Sequence, residues 1–386
     1  MMRRKRVAIL GSTGSIGVNT LDVIRRHQDC FEAVLLTAYN NVKLLKDQVR
    51  QFHPGLVAIS GEKIKELRTG LPARVKLFDV EQDLVELVAS KDIDIVVIGM
   101  TGVAALGPFL SAVRAGKTVA PANKEALVVA GEIIMRLARR SGARIIPVDS
   151  EQSAIFQALQ GHRREDAVKV HLTASGGPLR DVPLSRLSRI GVKEVLRHPR
   201  WRMGAKISVD SATLMNKGFE VIEAQRLFGF SPDEIDVVVH PEAIIHSMVE
   251  YRDGSVIGQL SVTDMRLPIQ YALTYPERMA TRIKGLDFSA LRSLTFHCPD
   301  MNKFPLLALA YHAVREGGTV PAVLNAADEV AVDSFLNERI SFLSIHRVVE
   351  KVLKAHRKVA APSLGDISDA DDWARGEAMA IIRKKL

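Results

Sequence analysis

The sequence predicts an α/β protein with an N-terminal doubly wound parallel sheet, a central α+β domain and a C-terminal helical domain. Short apolar runs alternate with helical patterns as far as residue 148, as in parallel sheets wound by helices. After Phe156 this alternation stops, and four amphipathic stretches follow residue 302. The expected domains are 1–149, 150–275 and 301–386, with a connecting region at 276–300.

Composition restricts the class of protein. The chain has 386 residues, 47% of them hydrophobic, which suggests two or three domains at roughly 150 residues each. Cys30 and Cys298 are its only cysteines, so we expect no disulfide framework and a cytoplasmic location. The first apolar run, Val7 to Leu10, is too short for a signal peptide, and no run of about 20 apolar residues predicts a membrane span.

The charge balance favours an anionic partner. A net charge of +9 and an isoelectric point of about 9.5 would suit nucleic acid or a phosphorylated small molecule. The basic residues are scattered, aromatic residues make up only 5% of the chain, and no recognition-helix pattern appears. We therefore expect a phosphorylated small molecule and no nucleic acid.

The first strand and helix enclose a glycine-rich loop. Residues 6–10 read as a buried strand, the loop Gly11–Gly17 follows the pattern G-x-x-G-x-x-G, and a helix continues to Arg26. Glycines allow a tight turn close to a pyrophosphate, and the helix N-terminus attracts its charge. This predicts a Rossmann-like dinucleotide site, although a connector without a ligand would give the same pattern.

The residues at the end of the second strand indicate whether the site prefers NADP or NAD. Residues 33–38 end in Tyr39-Asn40-Asn41, where an NAD site usually has an acidic residue for the ribose diol. Amides tolerate a 2′-phosphate, so NADP is favoured over NAD, with Lys43 nearby. Strands are also predicted at 56–59, 93–98, 118–120 and 144–148, and helices at 81–90, 103–115 and 124–140.

Polar residues follow two of these strands. Asn123, Lys124 and Glu125 open a helix at the carboxyl edge of the sheet, although they would also suit a solvated first turn. Asp149 and Glu151 follow the last strand, and in extended backbone they would point to one side and could bind one cation. Alternatively, Asp149 caps a helix and Gln152 reaches back to it.

The central region carries three further polar stretches. A strand at 168–173 leads into Ala174–Pro178, a tight loop suited to anions. Residues 197–204 place a tryptophan among basic residues, as in a lid or an ordinary surface loop. Residues 208–220 combine hydroxyl, amide, ammonium and carboxylate groups. Strands are expected at 237–240 and 255–261, and helices at 303–317, 324–337, 344–357 and 369–384.

Taken together, the motifs resemble the 1-deoxy-D-xylulose-5-phosphate reductoisomerase family over nearly the whole chain. The matching blocks, in order, are Gly11–Gly17, Ala122–Glu125, Pro147–Glu151, Ala174–Pro178, His198–Gly204, Ser208–Glu220, His246–Val249 and Leu324–Ala327. The resemblance implies an oxidoreductase of isoprenoid biosynthesis. It would rearrange 1-deoxy-D-xylulose 5-phosphate and reduce the product with NADPH to 2-C-methyl-D-erythritol 4-phosphate. A homodimer is implied as well.

The resemblance also implies site residues. Asp149, Glu151 and Glu220 would bind one Mg²⁺ or Mn²⁺, hard ions that prefer oxygen ligands. Ser175, Ser211, Asn216 and Lys217 would bind the substrate phosphate, and Lys124 and Ser150 would contact the sugar. His198 and Trp201 would belong to a lid closing over the substrate, with His198 and Lys124 among the catalytic residues. The cofactor would contact Thr13, Gly14, Ser15, Ile16, Asn41, Asn123, Glu125 and Gly204.

The chain departs from the family's usual residues at four places. Gln152 replaces a common histidine, Tyr39-Asn40-Asn41 lacks a frequent lysine, Ala243 replaces a frequent serine and Asp328 a frequent asparagine. The missing lysine weakens the case for strict NADPH selectivity.

Two other readings fit parts of the sequence. A semialdehyde-type dehydrogenase also opens with a glycine-rich loop but needs a nucleophilic cysteine, and neither Cys30 nor Cys298 has a matching base nearby in the sequence. A redox-sensing module that binds NADPH would not need three carboxylates beside a phosphate cluster. Metal-dependent turnover separates both from the reductoisomerase.

The tryptophan at 201 provides a test of the lid. Trp201→Ala should lower kcat/KM and leave NADPH affinity much less affected, because the indole would be buried by bound substrate. A Trp373→Phe variant keeps Trp201 as the sole tryptophan, since the chain has only two. Its emission should change with substrate, and emission indifferent to substrate and to a tight analogue would identify an ordinary surface loop.

Overall fold

The computed structural model describes residues 3–197 and 204–384. A parallel sheet forms the first part, with the strand order β4-β3-β2-β1-β5-β6-β7. Its strands are β1 (Lys5–Leu10), β2 (Phe31–Thr37), β3 (Leu56–Ile59), β4 (Lys76–Asp79), β5 (Ile95–Ile98), β6 (Thr118–Pro121) and β7 (Arg144–Ile145). The winding reverses between β1 and β5, which is where doubly wound sheets bind ligands. The predicted parallel sheet is confirmed.

The connections of this sheet are mainly helical. They contain α1 (Ser15–Arg26), α2 (Val42–Phe52), α3 (Ile64–Arg68), α4 (Leu84–Leu87), α5 (Leu106–Arg114) and α6 (Glu125–Ser141). Edge strand β4 was not predicted, because its residues are only partly buried or exposed and form no apolar run. The predicted strand at 144–148 is shorter in the structure. Nevertheless, Ile146 and Val148 still donate hydrogen bonds to Val119 O and Pro121 O, each at 2.9 Å.

A second, mixed sheet has the order β11-β10-β8-β9. Its strands are β8 (Ala167–Ala174), β9 (Ile235–Val239), β10 (Ile245–Tyr251) and β11 (Val256–Leu260), and the helices of this region are α7 (Ser150–Ala158), α8 (Val192–Val195), α9 (Ala205–Thr213) and α10 (Met215–Phe228). Strand β10 was missed. It is paired on both sides, and its polar residues His246 and Ser247 are buried, which masks the alternation expected of a half-exposed strand.

The C-terminal part is helical, as expected. It contains α12 (Pro305–Glu316), α13 (Val320–Leu336), α14 (Phe342–Ala355) and α15 (Leu364–Arg383), and helix α11 (Arg266–Thr274) precedes it in the chain. Helix α13 is mostly buried and packs against α9, α12, α14 and α15. Helix α11 was missed because of Pro268, which lies in its first turn, where a missing N–H costs no helical hydrogen bond. No helix in the described chain is long and apolar enough to cross a membrane.

Two compact units share the described residues. One comprises Met1–Ala126, Glu132–Ser153 and Asp264–Ile283, and the other Leu127–Gly131, Ala154–Thr263 and Lys284–Leu386. In the first unit, α11 is tied to α1 by Arg266, whose Nη1 lies 3.0 Å from Asp22 Oδ2. Burial alone would raise the pKa of Asp22, but hydrogen bonds from Arg25, Arg266 and Arg26 lower it to about 2. The sequence-based division into four segments stays a prediction.

Gly17 lets α1 approach the loop after β1. A Cβ at Gly17 would lie 2.3 Å from Ser12 Cα and 2.4 Å from Gly11 O. We expect Gly17→Ala to lower the free energy of unfolding by roughly 1–3 kcal/mol through overpacking, and to weaken NADPH binding. The control is Gly55→Ala, since a Cβ at Gly55 meets no atom within 4 Å. Equal urea unfolding curves for both variants would contradict this account.

Candidate active site

The glycine-rich loop lies at the carboxyl end of β1. Gly11 has a φ of +82°, a conformation that favours glycine. Gly14 is the N-cap of α1 and offers no side-chain cap, so the first N–H groups of the helix suit an anionic ligand. Gly14 and Ser15 are exposed, while Thr13 and Ile16 are partly buried.

Two residues that the sequence did not single out hold this loop. Thr37 accepts from Gly11 N through Oγ1 at 2.9 Å and from Ser12 N through its carbonyl at 2.7 Å. Buried Gln48 accepts from Ser12 Oγ at 2.7 Å and donates to Ser12 O at 2.8 Å. They lie 26 and 36 residues further along the chain, and no local pattern indicates such contacts.

The tip of β2 presents polar groups that carry no charge. Asn41 is the N-cap of α2, and its side chain accepts from Leu44 N at 3.1 Å. This assigns its oxygen to the helix and leaves Nδ2 as the atom suited to a phosphate. Tyr39 is exposed and donates to Glu81 Oε1 at 3.1 Å, which raises the pKa of its hydroxyl.

The turn after β6 carries Lys124, whose ammonium group pairs with a carboxylate. Asn123 is buried, its Nδ2 donates to Met100 O at 2.9 Å and Gly102 O at 3.1 Å, and its Oδ1 accepts from Ala126 N at 3.0 Å. Its side chain therefore holds the turn, and a cofactor contact would use its backbone. Lys124 Nζ lies 2.6 Å from Asp149 Oδ2, with both side chains largely buried. Glu125 starts α6 and is half-buried.

The local geometry expected for Asp149 and Glu151 is wrong. They were expected in extended backbone, but α7 begins at Ser150. Asp149 directly precedes this helix, with its carbonyl accepting from Ser153 N at 2.8 Å, so it occupies the alternative N-cap position. Glu151 lies in the first turn, where a carboxylate suits the positive end of the helix dipole. Ser150 Oγ donates to Glu151 Oε2.

The junction of α9 and α10 gathers further polar groups. Leu214 joins the two helices in the left-handed conformation, with a φ of 59°. This places Ser211 in the last turn of α9, and Asn216 and Lys217 in the first turn of α10. Asn216 Nδ2 donates to Glu220 Oε1 at 2.6 Å, and buried Lys217 donates to Glu220 Oε2. The carboxylate of Glu220 is thus fully buried and held by two donors of its own helix.

The loop after β8 lies against the end of α9. Gly177 has a φ of +69°, and a Cβ there would lie 2.3 Å from Ser211 O. Only glycine fits so close to that carbonyl, so the loop that carries Ser175 packs against the last turn of α9 at Gly177. Ser175 Oγ accepts from Gly177 N at 3.3 Å.

Three carboxylates that the sequence singled out form a group that could hold a metal ion. One ligand atom from each of Asp149, Glu151 and Glu220 lies within 4.8 Å of the others. Carboxylate oxygens surround Mg²⁺ or Mn²⁺ at roughly 2.0–2.3 Å, so this separation fits a shared cation. All three donors are hard oxygen atoms, with no thiolate or imidazole among them.

Two predicted residues cannot be placed. His198 and Trp201 lie outside the residues that the structure describes. Gly204, which follows them, is the exposed N-cap of α9, and its carbonyl accepts from Ser208 N at 3.1 Å and Ser208 Oγ at 2.9 Å.

Three family models match the chain. Residues 7–131 match the model described as 1-deoxy-D-xylulose 5-phosphate reductoisomerase, and residues 145–228 match its C-terminal domain. Residues 260–377 match the model described as DXP reductoisomerase C-terminal domain. Glycine loop, carboxylates and phosphate cluster all fall within these segments.

Relatives and solved structures agree with the models. The reductoisomerase of Thermoanaerobacter pseudethanolicus is 52% identical over 95% of this chain and 96% of its own, and that of Trichlorobacter lovleyi 48% over 98% and 97%. The Zymomonas mobilis enzyme in complex with NADPH has a TM-score of 0.93 and 40% identity, covering 100% of both chains. A DOX-P reductoisomerase with NADPH, fosmidomycin and magnesium has a TM-score of 0.92 and 37% identity, covering 98% of both.

Proposed function

The chain belongs to the 1-deoxy-D-xylulose 5-phosphate reductoisomerase family, and from this premise we propose which of its residues carry the reaction. It is an NADPH-dependent oxidoreductase that, with a divalent cation, converts 1-deoxy-D-xylulose 5-phosphate to 2-C-methyl-D-erythritol 4-phosphate. The reaction rearranges the carbon skeleton and then reduces an aldehyde. The convergence of Asp149, Glu151 and Glu220 supports this assignment most directly.

These three carboxylates would hold the cation, either Mg²⁺ or Mn²⁺. When bound, it supplies a Lewis acid that stabilises negative charge on the substrate's oxygen atoms. Lys124 contacts Asp149, and Lys217 contacts Glu220. Once a cation neutralises these carboxylates, the ammonium groups of Lys124 and Lys217 would also interact with the substrate. Lys124, with Ser150, would orient the sugar hydroxyl groups and hold a proton near them.

Ser175, Ser211, Asn216 and Lys217 would bind the substrate phosphate. Lys217 supplies the charge, and the first turn of α10 supplies backbone N–H groups and the positive end of a helix dipole. Gly177 supports the assignment because it brings the Ser175 loop against Ser211. Such a cluster fixes the phosphate end while the carbon skeleton rearranges.

The glycine loop would bind NADPH, which supplies the hydride. Thr13, Gly14, Ser15 and Ile16 would surround the pyrophosphate, and Asn41 Nδ2 would meet the 2′-phosphate. The remaining contacts are assigned to Asn123, Glu125 and Gly204. His198 and Trp201, outside the described residues, would close over the substrate and exclude water during hydride transfer.

Two further properties belong to the proposal. A homodimer would form in solution, and the outer strand β11, where Val256 is half exposed, offers an edge for a second copy. A cytoplasmic location is supported by a chain with two cysteines and no disulfide between them. Light scattering would measure the first and cell fractionation the second.

Removing one metal-binding carboxylate should separate turnover from cofactor binding. Asp149→Asn should abolish Mg²⁺- or Mn²⁺-dependent NADPH oxidation, because an amide cannot supply the negative charge that the cation requires. The dissociation constant for NADPH should stay nearly unchanged in fluorescence titrations. Asp29→Asn makes the same change at an exposed position and should keep wild-type activity. Wild-type turnover by Asp149→Asn would exclude this carboxylate as a ligand.

Removing the buried lysine should weaken substrate binding. Lys217→Ala deletes a charge-assisted hydrogen bond to the phosphate, an interaction of about 1.5–3 kcal/mol, which corresponds to a KM increase of roughly tenfold to hundredfold. Lys351→Ala removes the same charge from an exposed site on α14 and serves as the control. Steady-state kinetics with the phosphorylated deoxyketose decide the question, and equal KM values in both variants would reject the placement.

A further inference from the structure

Arg180 lies just past the loop that carries Ser175, outside the residues assigned above. Its Nη1 donates to Ser175 O at 3.1 Å. The other two nitrogens are engaged by the next residue, because Nε donates to Asp181 Oδ1 at 3.1 Å and Nη2 donates to Asp181 Oδ2 at 2.7 Å. The guanidinium group thus joins a backbone carbonyl of the loop to a carboxylate, and each of its nitrogens acts as a donor.

The aliphatic part of the same side chain lies against the loop. Gly176 has a φ of +84°, and a Cβ there would lie 2.7 Å from Arg180 Cδ and 3.0 Å from Val239 Cγ1. Gly176 is therefore enclosed between the stem of the arginine and the last residue of β9. Any larger residue at 176 would displace the side chain of Arg180.

The backbone of Arg180 is itself fixed in the fold. The preceding residue, Leu179, is 1% exposed and belongs to the hydrophobic core. Lys303, which lies 123 residues further along the chain, donates through Nζ to Arg180 O at 2.6 Å. The contact of the guanidinium group with Ser175 therefore starts from a backbone that is anchored on both sides of the side chain.

The loop requires such an anchor because two glycines follow Ser175. Glycine adopts positive and negative φ about equally readily, so the peptide group between Ser175 and Gly176 can turn over unless its carbonyl is held. Because a peptide group is planar, a donor on the carbonyl fixes the orientation of the whole group. Ser175 Oγ accepts from Gly177 N at 3.3 Å, so the position of the hydroxyl group depends on this same backbone.

We propose that Arg180 is a positioning residue for the substrate phosphate, because it holds the Ser175 loop in the conformation that binds phosphate. The inference deepens the function proposed above and rests on its assignment of Ser175. Arg180 acts through Ser175, since its nitrogens already donate to Ser175 O and to Asp181. Without the guanidinium group, a smaller fraction of molecules presents the hydroxyl correctly, and the apparent affinity for substrate falls by that fraction.

Replacing the guanidinium group tests this role. Arg180→Met removes the donor nitrogens and keeps an unbranched stem over Gly176. The KM for the phosphorylated deoxyketose should rise by roughly three- to tenfold, which corresponds to one net hydrogen bond. The kcat and the dissociation constant for NADPH should change much less, because the carboxylates and the glycine-rich loop are untouched. The matched control is Arg163→Met, since Arg163 is exposed and pairs with Glu165 at 3.3 Å, and its KM should stay that of the wild type.

A double variant decides whether Arg180 acts through Ser175. Ser175→Ala lacks the hydroxyl group, so adding Arg180→Met to it should raise KM no further. An equal rise in both backgrounds would overturn the proposal, because Arg180 would then act on the phosphate independently of Ser175. An unchanged KM in Ser175→Ala alone would instead reject the phosphate assignment of Ser175 on which the proposal rests.

A milder variant separates the positioning role from a folding defect. Arg180→Lys keeps the positive charge and replaces the donor nitrogens by a single one. It should give a smaller rise in KM, which should again vanish in the Ser175→Ala background, with urea unfolding curves close to those of the wild type. If kcat and NADPH affinity fall as much as KM rises in both Arg180 variants, the role is general stability and the positioning role is refuted.

Discussion

Electrostatic repulsion among three carboxylates is the constraint on which the site depends. One oxygen from each of Asp149, Glu151 and Glu220 lies within 4.8 Å of the others, and two unit charges 4.8 Å apart repel by about 3.5 kcal/mol at an effective dielectric constant of 20. The fold offsets this with nearby donors, namely Lys124 for Asp149, and Lys217 with Asn216 for Glu220.

Backbone geometry supplies much of the remaining binding capacity. The uncapped N-terminus of α1 and the first turn of α10 each present N–H groups and the positive end of a helix dipole. Chain segments approach closely near both, at Gly17 beside the glycine-rich loop and at Gly177 beside the last turn of α9. The proposed anion sites thus lie beside positions where a side chain would not fit.

The helical C-terminal part contributes more than apolar packing. Asn325 and Asp328 are fully buried on α13. Asn325 donates to Glu329 Oε1 at 3.2 Å, and Glu329 is held by Arg375 of α15, while Asp328 reaches Lys206 on α9. Polar side chains of α13 therefore contact both the last helix and the helix that carries Ser211.

The sequence by itself determined the fold class and the family, because apolar periodicity and motif spacing are local properties of the chain, whereas the site residues that it singled out stay a prediction. It anticipated the convergence of Asp149 and Glu151 but not its geometry, since the start of α7 at Ser150 depends on where β7 leaves the sheet. Tertiary structure alone decided three features, namely strand β10, the hydrogen bonds of Gln48 to the glycine-rich loop, and the contact of Lys206 with Asp328. These contacts join residues far apart in the chain, and burial and pairing arise only when separate elements pack together.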